Sequence, residues 1–345
     1  MTGLEPRLSA IDEEIRAVLT QAEPSLQPFY GMMLYHLGLD KERSGTGKRL
    51  RPLLLVLIYE ALAGSMRASL PAAAAIELLH NFTLIHDDIE DQDPTRRHRP
   101  TVWSVWGVPQ AINAGDGMYA ASRLAVHRLT AGGIAADKVL EFARLLDAAC
   151  VQVCEGQFLD ISFESRTDVN SERHRGMVAK KTGALFSAAA EGAAVIGRDE
   201  ADLREALVRF GADFGQAFQA YDDVMGIWGT TGRTGKVEMN DIAKRKKTLP
   251  VVLAFERATP RTRATLEELY AAAALPPESV DRVRDILSDL RVRDLVEREI
   301  GIHRERALHE LRAVRDHAAA AEPLRALEAL VVSTTGARTE APATA

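Results

Sequence analysis

Two short acidic clusters dominate the chemistry open to this chain. The first is Asp87, Asp88 and Asp91 in Leu84-Ile85-His86-Asp87-Asp88-Ile89-Glu90-Asp91, followed by Arg96 and Arg97. The second is Asp222-Asp223, preceded by Phe218-Gln219. On a helix, Asp87 and Asp91 fall one turn apart on one face, with Asp88 beside them. Pro94 stops that helix at about Asp93, so the carboxylates crowd a C-terminal turn whose dipole disfavours negative charge by ~0.3–1 kcal/mol each. Something cationic must offset that cost. The preceding Ile76, Leu79, Phe82, Thr83 and Ile85 are nearly all apolar, which sets the acids at the mouth of a buried helix rather than on a solvated face. The second pair closes an apolar helix in the same way, ended by Gly226 and Gly229. Two acid pairs converging from two helix ends can hold hard divalent cations through oxygen, and Mg²⁺ held so keeps positions open for phosphate oxygens.

The basic residues extend this chemistry. Lys48, Arg51, Arg96, Arg97, Lys181, Lys236 and Lys246 each lie beside a loop or a helix end. Singly they read as surface charges, and the run Lys244-Arg245-Lys246-Lys247 alone resembles a nucleic-acid or targeting signal. With the carboxylates they suit a site for two polyanions, one held through metal and one directly by Lys and Arg.

Long helices must position these groups. Aromatic residues are only 6%, and apolar residues recur at intervals of three and four rather than in alternation, which predicts an all-α fold. Helices are expected over Ile11–Leu19, Leu50–Ala63, Pro71–Glu90, Val108–Leu129, Lys138–Phe158, Ser171–Ile196, Asp199–Met225 and Lys247–Ala258, with more beyond Pro260. Breaks fall at Ser44–Gly47, Asp93–Pro100, Gly132–Gly133, Gly226–Gly235 and Pro276–Pro277. The Arg-, Glu- and Leu-rich stretch from Glu278 to Leu330 suits amphipathic helices packed outside a core or against a partner. One domain is expected over residues 1–332, followed by a disordered tail over 333–345 rich in Thr, Ala and Pro.

With 345 residues, 46% hydrophobic and 27% charged, the chain has material for a large core and no disordered or fibrous composition. Forty-three basic against 49 acidic residues leave a net charge of −6, which argues against nucleic acid as a partner. Cys150 and Cys154, four apart on one helix face, read as reduced core residues. Charges such as Glu13, Glu14 and Arg16 interrupt any signal-peptide pattern, and no run approaches the ~18 apolar residues of a membrane span. A soluble, cytoplasmic protein is the expectation.

Taken together and in order, Gly47-Lys48-Arg49-Leu50-Arg51-Pro52, the first acidic motif with Arg96-Arg97, Lys181-Thr182, Phe218-Gln219 with Asp222-Asp223, Lys236 and Lys246 resemble the trans-isoprenyl (polyprenyl) diphosphate synthase family from about Gly47 to Val252. The resemblance implies an isoprenoid synthase fold of antiparallel helices around a deep central cavity, usually as a homodimer. It implies that Asp87, Asp88, Asp91, Asp222 and Asp223 bind two or three Mg²⁺ for an allylic diphosphate. Arg96, Lys181, Lys236 and Lys246 would contact that diphosphate, and Lys48, Arg51, His80 and Arg97 would hold isopentenyl diphosphate. Gln157 and Asp160 would line the cavity near the metals, while oxygens of Thr182 and Gln219 would stabilise a carbocation. Gly226 departs from the family's Asp-Asp-x-x-Asp, standing at its third acidic position. Phe82 and Thr83, one turn and more before Asp87, would set product length. The pattern resembles synthases of geranylgeranyl diphosphate (C20), with farnesyl diphosphate (C15) as the nearer alternative. A class I terpene synthase-like lyase would share the first motif but carry Asn, Ser and Glu where this chain has Asp222-Asp223, and a non-catalytic regulatory subunit would lack carboxylates that are all present here.

Overall fold

Leucine and alanine dominate the helices nearest the first acidic motif, and the computed structural model buries them accordingly. It describes residues 3–20, 23–40, 47–164, 166–229, 240–272 and 275–336, so Lys236 and positions 337–345 lie outside the described residues. In chain order the elements are α1 (Glu5–Leu19), α2 (Gln27–His36), α3 (Leu50–Ala63), α4 (Leu70–Glu90), β1 (Thr95–Arg96), β2 (Arg99–Pro100), α5 (Val102–Trp106), α6 (Val108–His127), α7 (Ala136–Glu164), α8 (Ser171–Val178), a π-helical turn (Ala179–Gly183), α9 (Ala184–Ile196) and α10 (Ala201–Trp228). Then come α11 (Asn240–Ala243), α12 (Leu249–Arg257), α13 (Pro260–Ala271), α14 (Pro277–Asp289), α15 (Val292–His317) and α16 (Ala321–Thr334). The all-α expectation holds.

The chain divides into two compact units. The first comprises Met1–Cys150, Ala188–Val208 and Leu311–Leu327. Its centre is α3, apolar on every side and buried almost throughout from Leu50 to Leu62, beside α4, which packs chiefly on α6 and also on α1 and α3. By length and composition α4 is apolar enough to cross a membrane, which the unbroken-run criterion missed; most of it is buried, as in a core helix. The second unit comprises Val151–Ser187, Arg209–Glu310 and Glu328–Ala345. Phe210, Phe214 and Phe186 form its aromatic centre, with Phe186 and Phe214 edge-on at 4.9 Å. Ile227, Ile242, Phe255, Leu266 and Leu287 form a second cluster in this unit.

Four expectations change. α2 was not foreseen: Gln27–His36 is apolar without clear periodicity. The helix expected over Ser171–Ile196 is interrupted by the π turn. Cys154 is exposed while Cys150 is buried, so only the latter is a core residue. The last helix runs to Thr334 and Thr335 is buried, so helix continues past the expected tail boundary at Val332.

Candidate active site

In the first unit the acidic motif sits where α4 stops. The helix ends before Pro94 because Gln92 turns left-handed (φ 52°). The Asp93 amide then donates to the Asp88 carbonyl (2.9 Å) and the Gln92 amide to that of Ile89 (3.2 Å). This is a Schellman closure, which satisfies the terminal carbonyls without side chains and leaves the acids of the last turn to other partners. Arg96 Nε donates to Asp88 Oδ1 at 2.6 Å, and Arg96 Nη2 to Asp87 Oδ2 at 3.3 Å. Asp88 is 1% exposed, and burial raises its pKa to about 6 against the pull of Arg96. Its other oxygen, Oδ2, is buried with no hydrogen-bond partner among the described residues. A buried carboxylate oxygen in that condition fits a cation ligand.

The paired arginines come from a two-residue hairpin. β1 and β2 pair Arg96 with Arg99, and the turn residues Arg97 and His98 have φ of 52° and 63°. Positive φ at both positions is a type I′ geometry that favours Asn-Gly, and non-glycine residues hold it at a cost of ~1–3 kcal/mol each. Arg99 pins the hairpin, donating to Asp40 (2.7 and 3.1 Å) and lying 3.9 Å over the Tyr35 ring. Arg97 is thereby laid against Gly47, where any Cβ would sit 2.7 Å from its guanidinium carbon. That contact brings Arg97 to the Gly47-Lys48 segment and explains why position 47 has no side chain.

Arg51 Nη1 lies 3.1 Å from His80 Nε2. Burial, then the charges of Arg51 and Arg97, hold His80 well below its ordinary pKa, so it is neutral and accepts from Arg51. Burial lowers Arg97 to about 10, and its Nη1 has no partner among the described residues. Lys48 is exposed. Arg49, in the same motif, is a structural residue instead, since from its buried position it bridges Glu77 (2.9 Å), Asp12 (3.0 Å) and the Leu37 carbonyl (2.7 Å). Phe82 meets Tyr119 of α6 edge-on at 5.3 Å and His86 at 5.7 Å, while the Thr83 hydroxyl donates back to the His80 carbonyl.

In the second unit, Lys181 and Thr182 lie in the π turn, a one-residue excess that recurs at functional sites because it re-aims side chains. Lys181 Nζ pairs with Asp160 of α7 at 2.5 Å, and Gln157 lies half-buried on the same helix. Thr182 Oγ1 donates to Gln219 Oε1 (2.9 Å), Gln219 Nε2 to Asp223 Oδ1 (2.9 Å), and the Leu249 amide to Asp223 Oδ2 (3.0 Å). Asp223 therefore caps the start of α12, with the helix dipole favouring its charge, yet burial raises its pKa to about 7. Both Asp223 oxygens are engaged by protein donors, so it keeps fewer lone pairs for a cation than Asp88 does. Buried His174, 3.9 Å from Asp223, was not foreseen; burial lowers its pKa to about 4.

Asp241 was also missed. Its carboxylate fills the space beside Gly226, where a Cβ would stand 2.1 Å from Asp241 Oδ2. The departure from the usual motif is thus matched by an acid fifteen residues later. The basic run at 244–247 is no solvated patch either. Lys247 is buried, 4.4 Å over the Tyr270 ring and 5.0 Å over Phe255, with its pKa lowered to about 8 by burial. Lys246 is half-buried, its amide on the Asp241 carbonyl. Among the described residues no three ligating side chains form a closed metal cage. Mg²⁺ needs none: it is commonly held by one or two carboxylates with water and substrate phosphate.

Residues 39–290 match the polyprenyl synthetase family. The chain belongs to that family. It is 42% identical over 273 residues to a geranylgeranyl diphosphate synthase of Mycobacterium tuberculosis, covering 77% of this chain and 76% of the relative. Among solved structures it is similar to the geranylgeranyl pyrophosphate synthetase of Pyrococcus horikoshii, at TM-score 0.85 and 30% identity over 97% of each chain. It is also similar to a geranylgeranyl pyrophosphate synthase of Corynebacterium glutamicum complexed with isoprenyl diphosphate and magnesium, at TM-score 0.82 and 26% identity, covering 96% of this chain and 98% of the other. A polyprenyl synthetase fold and prenyl-transfer chemistry are therefore established for this chain.

Proposed function

We propose that this polyprenyl synthetase condenses isopentenyl diphosphate with an allylic diphosphate in an Mg²⁺-dependent reaction, and that its product is geranylgeranyl diphosphate. The observation that carries the site assignment is Asp88, buried at the end of α4 with one oxygen on Arg96 and the other without a partner among the described residues. In this scheme Asp87, Asp88 and Asp91 would hold Mg²⁺, as would Asp222 and Asp223, with two or three ions in all. When bound, these ions supply the charge neutralisation that lets diphosphate depart. Arg96, Lys181, Lys236 and Lys246 bind the allylic diphosphate directly, and Lys48, Arg51, His80 and Arg97 bind isopentenyl diphosphate.

The allylic C–O bond breaks with its electron pair leaving on diphosphate. The isopentenyl double bond then supplies the pair for the new C–C bond, and a proton passes to the released diphosphate. No side-chain nucleophile takes part. The Thr182 and Gln219 oxygens, aligned by their mutual hydrogen bond, face the transient cation with fixed dipoles. Neutral His80 keeps Arg51 aimed at the second diphosphate.

We further propose a homodimer. Val108, Ile112 and Tyr119 of α6 are exposed in the first unit, and Phe158 of α7 is 72% exposed in the second; apolar surface of this kind marks an interface.

The test of the site is metal removal beside substitution. EDTA should abolish turnover, and Asp87→Ala, Asp91→Ala or Asp222→Ala should each cost several orders of magnitude with the fold intact. Near-normal turnover of folded Asp87→Ala overturns the metal assignment.

A further inference from the structure

The prenyl-transfer scheme makes no use of the amphipathic stretch after Glu278, and that stretch lines a cavity of its own. Within the second unit, α15 sets Leu295, Arg298, Ile302 and Arg306 along one face, three or four residues apart. Arg175 of α8 and Leu253 and Arg257 of α12 form the facing wall. The groove is open to solvent and offers about 590 Å³, within the ~300–1,000 Å³ of small-molecule sites.

Its charges are unequally satisfied. Glu299 is clamped by Arg175 through two hydrogen bonds (2.6 and 2.9 Å), Glu256 accepts from the Ser171 amide (2.7 Å), and His303 is held by Asp213 (2.6 Å). The acids at this groove are thus already engaged. Arg257, Arg298 and Arg306 are exposed and make no hydrogen bond or ion pair among the described residues. Glu256, whose partner is a neutral amide, keeps its charge, so the three uncommitted guanidinium groups leave a local surplus of two positive charges on a chain of net charge −6. Between them lie Leu253, Leu295 and Ile302, the last 50% exposed.

We propose that this groove is a second binding site for a prenyl diphosphate, outside the catalytic site. Planar guanidinium forks match diphosphate oxygens in pairs, the apolar residues match a prenyl tail, and no metal ligand is needed. The identity of the ligand rests on the prenyl-transfer reading, since that reaction supplies molecules with this head and tail. Arginines and apolar side chains alternating along one groove match a single molecule with an anionic head and an apolar tail.

The test is calorimetric titration of the full chain with geranylgeranyl diphosphate in EDTA, wild type against the triple variant Arg257→Ala/Arg298→Ala/Arg306→Ala. The proposal expects one metal-independent site per chain to vanish or to weaken by at least about tenfold, with melting temperature and turnover at saturating substrates unchanged. Ile302→Asp should weaken the same site for geranylgeranyl diphosphate and leave inorganic diphosphate unaffected. Identical isotherms for wild type and triple variant overturn the site. Inorganic diphosphate binding there as tightly as the prenyl compound overturns the ligand class. Loss of binding to phosphatidylglycerol vesicles without a change in the prenyl isotherm assigns the arginines to a membrane instead and likewise overturns the proposal. Failure of the catalytic reading is seen separately, as absence of condensation product from wild type.

Discussion

Position 226 offers the most specific test of the local structure. The family's usual acid there is replaced by glycine, and Asp241 occupies the space that a side chain would need, its Oδ2 2.1 Å from where a Cβ would stand. Gly226→Ala adds one methyl group in that space. The obstructing atom is the end of a side chain that can swing aside, so the cost lies near the lower end of overpacking, ~1 kcal/mol, or a fall in Tm of roughly 1–2 °C for a chain of this size. Gly226→Asp restores the motif on paper but adds a carboxylate beside Asp241 and Asp223, whose charge burial already disfavours. It should cost more, ~1–3 kcal/mol, and lower turnover further. The double variant Gly226→Asp/Asp241→Ala removes the obstruction and the excess charge, so its Tm and turnover should recover toward wild type, giving a coupling of opposite sign to the single losses. Scanning calorimetry and a product-formation assay on the three variants decide it. Gly226→Ala indistinguishable from wild type, together with a double variant no better than Gly226→Asp, would refute the reasoning.

Three further outcomes follow from the site. Lys48→Ala or Arg51→Ala should raise the KM for isopentenyl diphosphate by about tenfold or more, as loss of a charge-assisted hydrogen bond implies, whereas Lys246→Ala should act on the allylic substrate; equal effects on both would remove the division. Phe82→Ala should lengthen products by one or more five-carbon units, read by chromatography, and an unchanged distribution would place the floor of the cavity at a deeper layer such as Leu79. His36 and His80 are held neutral well below their ordinary pKa by burial and by nearby arginines. As pH falls through ~6.5 the unfolded chain gains protons there that the fold does not, so these groups destabilise the fold on acidification. Asp88 and Asp223, raised to about 6 and about 7, act in the opposite sense between about pH 4 and 7. Comparing urea unfolding of His36→Asn with wild type at pH 7.5 and 5 isolates the histidine; the variant should lose less stability on acidification, and equal losses would contradict the assignment.

Much of this was legible in the sequence because the governing signals are local. Leu50–Ala63 is bounded as its apolar run and the following Gly64 dictate, and the carboxylates of α4 fall at a helix end because Pro94 forbids its continuation. What escaped depends on contacts between distant residues. No propensity separates a π turn at Ala179–Gly183 from ordinary helix. Asp241 follows Gly226 by fifteen residues across a glycine-rich segment, so only packing reveals that one carboxylate stands in the other's place. Lys247 belongs to a run that alone resembles a nucleic-acid or targeting signal, and only the rings of Tyr270 and Phe255 show it to be core.

Head-to-tail joining of two diphosphate substrates is the reaction assigned to this chain. Its most direct test is incubation of the purified protein with farnesyl diphosphate, isopentenyl diphosphate and Mg²⁺, followed by product chromatography. The expected product is a longer linear diphosphate, geranylgeranyl diphosphate, whose formation stops with EDTA. A cyclic hydrocarbon, or no product from folded protein with both substrates and Mg²⁺ present, would contradict it.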